Sequence, residues 1–264
     1  AAHYMIGGVT VDSEVNAAVD ATIGASVTVR ARDIGVYATS NVDKPALPDR
    51  TENFLGLITI TVSTPNVKGS TGGLVSGAGI SSDFRITLNT NVNIGASADL
   101  QTVGVISDAT QIEMRAQNNI VAKDTVSFLS GGALAGAGAY AKIRTLADVA
   151  RVTIGDSVTL LSRGAIDLSA RGSGNVTQKI SVDVFGAGTL TVGESRVDLR
   201  PLNEVVIGSA AITSYGDLKI SAGRDTDSNA DRYRLESRLD GLAGSLVPID
   251  SVDAKAFLIQ DNRI

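Results

Sequence analysis

One nonapeptide is written four times in this chain, and that repetition constrains the fold more than any other feature. "ATIGASVTV" (Ala21–Val29) returns as "VNIGASADL" (Val92–Leu100), "VTIGDSVTL" (Val152–Leu160) and "VVIGSAAIT" (Val205–Thr213), with the shared glycine at Gly24, Gly95, Gly155 and Gly208. A second stretch follows each copy: "IGVYATSN" from Ile34, "IEMRAQNN" from Ile112, "IDLSARGSGN" from Ile166 and "LKISAGRDTDSN" from Leu218. Self-similarity at a fixed spacing means that one structural unit is stacked repeatedly.

The apolar positions inside each unit alternate. Val9, Val11, Val15, Ala17, Val19, Ala21 and Ile23 share one parity, as do Ala133, Ala135, Ala137, Ala139, Ala141 and Ile143. A period of two belongs to strands, whereas a helix requires spacings of three and four. "AYAKIRTLADVA" (Ala139–Ala150) has a helical look, but its alternation continues the strand pattern. The IG-x-S element reads as a corner between two strands, since glycine marks a tight bend or a close backbone approach.

Paired or near-paired glycines precede each unit, at Gly7, Gly72, Gly131, Gly186 and Gly241, so successive starts are 65, 59, 55 and 55 residues apart. The chain therefore divides into approximate modules 7–71, 72–130, 131–185 and 186–240, with a fifth begun at 241–264. Such modules are too short for an immunoglobulin-like sandwich of about 100 residues. They suit two or three solenoid coils of roughly 20–25 residues each, stacked as a parallel β-helix in which neighbouring layers bury one another. Composition agrees: 43% of residues are hydrophobic but only 4% aromatic, with 28 glycines and no Trp, so small and β-branched side chains do the burying. The predicted fold class is all-β, a parallel β-helix over residues 1–264 as one continuous segment. The polar stretches Asn41–Asn53, Asn118–Asp124 and Gly223–Asp231 are expected as loops leaving that core.

Chemistry is harder to find. His3 is the one histidine and there is no cysteine, which removes histidine-based acid–base work, disulfides and thiolate metal sites. No Gly-x-Ser-x-Gly elbow has a histidine partner, and the glycine-rich "GGLVSGAG" and "GAGAYAK" lack the Gly-Lys-Ser/Thr ending of a phosphate loop. A net charge of −5 opposes nucleic acid and anionic membranes, and no apolar run approaches the roughly 20 residues of a membrane helix. No catalytic or cofactor residue is assigned. A polysaccharide-binding or polysaccharide-degrading β-helix is the alternative reading. It would need acids gathered on one coil face.

The sharpest constellation is "DTDSNADRYRLE", where Asp225, Asp227, Asn229 and Asp231 alternate and Glu236 is twelfth. That is the ligand spacing of a calcium loop. Ala230 stands where the loop needs glycine and Arg232 where an apolar residue is usual, so a plain solvated loop is the competing reading. Asn41, Asn118 or Asn119, Asn175 and Asn229 each follow an Ala-ending strand. They are open to two readings, a coil-to-coil amide ladder or a turn preference.

Alternating Ala/Val/Gly strands, IG-x-S corners and diverged modules resemble the repeat regions of large filamentous bacterial surface adhesins, the filamentous haemagglutinin and leukotoxin-type group. The IGAS corners also resemble, more distantly, the left-handed β-roll heads of trimeric autotransporter adhesins. The first resemblance implies a right-handed parallel β-helix exported to the cell surface, without enzymatic activity, serving as a stalk or adhesive fibre. It implies further modules or copies joined end to end, and a host or cell-surface glycan or protein as ligand. The pattern starts and stops in mid-module, so the chain is expected to be a rod-like stretch of a longer extracellular fibre.

Overall fold

The computed structural model describes residues 4–47, 50–54, 58–62, 64–107, 109–224 and 231–264, with side chains described outside 4–7 and 50–62. The chain is all-β, with 79% strand and, among the described residues, no helix. It makes a circuit through three sheets and then repeats it. The first pass runs through β1 (Tyr4–Ile23), β2 (Thr28–Ala31) and β3 (Ile34–Lys44). A side hairpin, β4 (Arg50–Phe54) with β5 (Ile58–Val62), leads to β6 (Val67–Gly72). The second pass is β7 (Val75–Ile94), β8 (Asp99–Thr102) and β9 (Thr110–Gly131), and the third is β10 (Leu134–Ile154), β11 (Thr159–Ser162) and β12 (Ala165–Phe185). In the fourth the long strands are interrupted: β13 (Gly188–Leu199) and β14 (Pro201–Ile207), β15 (Ala211–Ser214), then β16 (Leu218–Ala222) and β17 (Tyr233–Gly244). A further pass opens with β18 (Val247–Leu258) and β19 (Asp261–Arg263).

Like pairs with like, one pass away. One broad sheet has the order β1-β7-β10-β13-β18, with β14 and β19 extending it; a second has β16-β12-β9-β3, joined by β17 and β6; a narrow sheet has β15-β11-β8-β2. Every pairing is parallel except that of the β4–β5 hairpin. This arrangement of long parallel sheets is compatible with a β-helix.

The register corrects the expectation of two or three short coils per module. Tyr4 lies opposite Val75, Val75 opposite Leu134, Leu134 opposite Gly188 and Gly188 opposite Val247, in steps of 71, 59, 54 and 59 residues. One module is one circuit. The physical reason is that the two broad sheets bury their inward faces against each other, so strands of 20 and 21 residues replace the short sides of a small coil. It also corrects the rod. Five parallel strands at about 4.8 Å apart rise only about 20 Å, whereas a 20-residue strand runs about 65 Å. The described chain is a wide, shallow slab.

The corners explain the repeated glycines. Ser26, Ser97 and Ser157 have φ of 57°, 59° and 58°, a left-handed conformation at the same place in three corners. Their amides bond to the next corner, Ser26 N–H to Ala96 O (2.9 Å), Ser97 N–H to Asp156 O (2.9 Å) and Ser157 N–H to Ser209 O (2.7 Å). The fourth corner omits one residue and lacks this serine turn, closing instead with Ala210 N–H to Gly208 O at 2.8 Å. A Cβ on Gly95 would stand 2.5 Å from Ala25 N, so corners can nest only with glycine there.

At the opposite edge Gly73, Gly132 and Gly186 stack in the same way. A Cβ on Gly132 would meet Gly73 O at 2.3 Å, and one on Gly186 would meet Gly132 O at 2.4 Å. Gly7-Gly8 and Gly241 do not belong to this column. Gly7 and Gly8 lie within β1 opposite Ala78 and Gly79, and Gly241 lies within β17 opposite Val182. Glycine alone does not mark a corner in a chain whose strands also carry it.

The alternation holds. Ile154 and Ile166 are fully buried, and Ala135, Ala137, Ala139, Ala141 and Ile143 line the interior. The segment with a helical look lies in β10, interrupted by a bulge between Thr145 and Ala147 that turns Leu146 outward. Val9 and Val11 are more exposed, at 43% and 38%, because β1 is an edge strand. Asn118–Asp124, expected as a loop, runs straight through β9. The second broad sheet's ladder instead stops at Lys44 and resumes at Val67, across from 123–125, and stops at Ala222 and resumes at Tyr233, across from 171–173.

These contacts separate two glycines that look alike in sequence. Gly132→Ala is expected to destabilise by about 1–3 kcal/mol through overpacking. Gly77→Ala, with nothing within 4 Å of its added Cβ, is expected to be near neutral. Urea midpoints of the two variants measure the difference, and equal midpoints would contradict the nested corner.

Candidate functional site

The interior is not uniformly apolar. Three hydrophobic compartments lie along the long strands. One sits against the narrow sheet (Ile94, Leu100, Ile112, Ile154, Leu160, Ile166), one in the middle (Phe84, Ile86, Leu88, Ile120, Ile143, Val197) and one towards the Gly132 edge (Ile80, Val126, Phe128, Ile180, Val182). Two polar seams separate them, crossing the strands and passing from circuit to circuit.

The seam nearer the narrow sheet is a chain of hydrogen bonds. The Ser40 and Thr90 hydroxyls lie 2.6 Å apart, Thr90 donates to Asn118 Oδ1 (2.6 Å), and Asn118 Nδ2 donates to Asp148 Oδ1 (2.8 Å). In the next circuit Asp231 Oδ2 accepts from the Gly172 amide (2.8 Å) and from Asn203 Nδ2 (3.0 Å), and Asn203 Nδ2 also donates to Asn262 Oδ1 (2.9 Å). Tyr233 lies between the two halves. Its ring and hydroxyl occupy space that Gly172 and Gly174 leave open, since Cβ atoms there would stand 2.1 Å from the hydroxyl and 2.7 Å from the ring.

Electrostatics distinguish this seam. Burial pushes the Asp148 carboxyl up to about 6, against the opposing pull of its bond from Asn118. Burial raises Asp231 to about 6 as well, outweighing Gly172, Arg171 and Asn203. The Tyr233 hydroxyl is raised by burial and then by the fields of Asp148 and Asp231. Both the Tyr233 hydroxyl and Asp148 Oδ2 are buried without a hydrogen-bond partner.

The other seam balances its charge. Asp124, fully buried, accepts from Lys44 Nζ (2.9 Å) and Ser82 Oγ (2.9 Å), and Lys44 lies 4.4 Å from the centre of the Phe84 ring. Gln178 Nε2 donates to Asp124 O (3.3 Å), and Ser237 Oγ meets Ser195 Oγ at 2.8 Å.

Outside, the second broad sheet carries a ladder of polar side chains. The Tyr37 hydroxyl donates to Glu113 Oε2 (2.7 Å), Arg115 pairs with Glu113, and Arg171 donates to Gln117 Oε1 (3.0 and 2.7 Å). Tyr37 is pushed up to about 12 by burial and by its bond to Glu113. Asn119 Nδ2 donates to Asn41 Oδ1 (2.7 Å) and Ser173 Oγ to Asn119 Oδ1 (2.8 Å). The amide ladder thus joins Asn41 to Asn119 on the outer face and omits Asn175, which lies opposite Val121. Asp167 sits in this face at 1% exposure with neither carboxylate oxygen hydrogen-bonded. Burial, and then the charge of Glu113, raise it to about 6. Beside β17 a surface groove of about 630 Å³ is lined by Ser173, Asn175, Asp231, Arg232, Tyr233 and Arg234, among others.

Of the five residues read as calcium ligands, Asp225, Asp227 and Asn229 lie outside the described residues. Asp231 is turned into the interior seam, while Glu236 sits opposite Thr177 and pairs with Lys179 at 3.9 Å. Among the described residues no three acidic or histidine side chains gather as a metal centre, and no helix is long and apolar enough to cross a membrane. The seams were missed in sequence, although a signal existed: Asn118 and Asp124 share the parity of Ile112 and Met114. No protein-family model, curated protein or solved structure matches this chain.

Asp167 supplies a pH test. An acid that holds its proton more tightly in the fold stabilises the fold only while protonated. Its contribution is complete below the ordinary value of 3.8 and is lost as pH rises through about 6. Stability is expected to fall between about pH 4 and pH 7, and Asp167→Asn to raise stability at neutral pH and reduce that slope. Denaturant titrations across the range measure it; an unchanged slope in Asp167→Asn contradicts the assignment.

Proposed function

We propose that the chain is a stretch of right-handed β-solenoid with a structural, adhesive role in an exported bacterial surface fibre, acting without catalysis. The observation that carries this reading is the continuous parallel register from β1 to β18, because such ladders extend without limit when more circuits are added. The strands β1 and β18 present open edges of the first broad sheet, and Val247 and Ile249 on β18 are 62% and 60% exposed. Further circuits, or copies of the chain, are the proposed partners at these edges. The corner pattern and small-residue strands give the same reading through their resemblance to filamentous adhesins.

A saccharide-binding role is the second reading, favoured by the groove beside Arg232 and Arg234 and by the amide ladder that leads towards it. Under this reading the same fibre presents a glycan site, and no hydrolysis is required.

Immunogold labelling of the cells that make the protein tests the principal reading. Label along projections outside the cell is expected. Label confined to the cell interior would overturn it.

A further inference from the structure

The two seams treat buried charge differently, and the difference identifies a site. In one, the Asp124 carboxylate has the Lys44 ammonium at 2.9 Å. In the other, two carboxylates, the fully buried Asp148 and the half-buried Asp231, share the seam, and among the described residues no cationic side chain acts on Asp148. Arg171 influences Asp231, but its guanidinium is bonded to Gln117 on the outer face. Burying an ionised carboxylate without a counter-charge is expensive, so Asp148 needs a cation or a proton there.

Geometry favours the cation. Asp148 is 2% exposed, one oxygen is held by Asn118, and Oδ2 has no partner. The buried Tyr233 hydroxyl has none either. The hydroxyl and Asn203 Oδ1 both lie beside Gly172, 2.1 and 3.6 Å from where its Cβ would stand, so they border the same part of the seam. Among the described residues, the donors to Asp231 from Gly172, Asn203 and Gln260 all reach Oδ2. The hydrogen-bond chain from Ser40 to Asn262 therefore breaks at one place, and the atoms at the break are oxygens.

We propose that one hard metal cation of the calcium class binds inside this seam, held by Asp148 Oδ2, the Tyr233 hydroxyl and Asp231, with the Asn203 amide oxygen beside it. Carboxylate and amide oxygens are the donors such ions take, and the Tyr233 hydroxyl adds one further buried oxygen. The cation joins the third circuit, which supplies Asp148, to the fourth, which supplies Asn203, Asp231 and Tyr233. It shares Asp231 with the alternating Asp225–Asp231 run but uses none of that run's other residues, and it stands whether or not the chain is exported.

Chelated full-length chain, titrated with calcium and with terbium, tests the proposal. Calcium is expected to raise the melting temperature by mass action. Asp148→Asn is expected to melt higher than the parent without metal, and to lose the calcium increment. Asp227→Ala is expected to keep the increment. The chain has no Trp, so terbium emission must be sensitised by tyrosine. Tyr233→Phe is expected to abolish it, which provides a readout even if Asp148→Asn folds poorly. An increment that survives Asp148→Asn, emission that survives Tyr233→Phe, or no response to either ion overturns the proposal.

Discussion

A parallel strand in this chain finds its backbone partner more than fifty residues away, and everything else depends on that distance. No circuit satisfies its own amides and carbonyls. Each is completed by the circuits before and after it, as stacked repeats require. Thus the corners must nest with almost no tolerance, which is why Gly95, Gly132 and Gly186 have no room for a side chain. It also explains why small residues dominate: an Ala column such as Ala137, Ala139 and Ala141 sets the spacing between two facing sheets, not the volume of a globular core.

Long, flat strands carry a hazard of slippage. A shift of one residue reverses every side chain, but a shift of two preserves the alternation and costs little in an all-apolar interior. The seams remove that freedom. Moving β9 by two residues against β12 would carry Asn118 away from Asp148 and Asp124 away from Lys44, leaving buried polar groups unpaired. Polar residues in the interior thus specify register where hydrophobic ones cannot. A cation between Asp148 and Tyr233 would fasten two circuits at the place where β13–β14 and β16–β17 interrupt the long strands.

Much of this fold was legible in the sequence. The four Ile-Gly corners, the inward phase of Ile154 and Ile166, and strand where a helix was possible all follow from alternation and repeat. The size of the circuit was not legible. The alternation in Val75–Ile94 says that the segment is extended, but does not say whether it bends into short sides or runs straight. That depends on a partner sheet whose pairing is distant in sequence. The seams were hidden for a related reason. Asn118 and Asp124 look like loop residues until their partners, Asp148 and Lys44, are placed opposite them from other strands. Most of the alternating Asp225–Asp231 run lies outside the described residues. Asp231 itself points inward, a direction that ligand spacing along the chain does not reveal.

Because the chain has no native cysteine, the circuit can be tested by introduced pairs. Asn93 and Thr153 are outward neighbours on β7 and β10, one full circuit apart. Cysteines at these two positions are expected to form a disulfide nearly quantitatively under mild oxidation, within the Cα separation such bonds allow. Cysteines at Asn93 and Gln117, separated by the length of a short coil, are expected to stay reduced. Cross-linking of the second pair in preference to the first would contradict the one-module circuit.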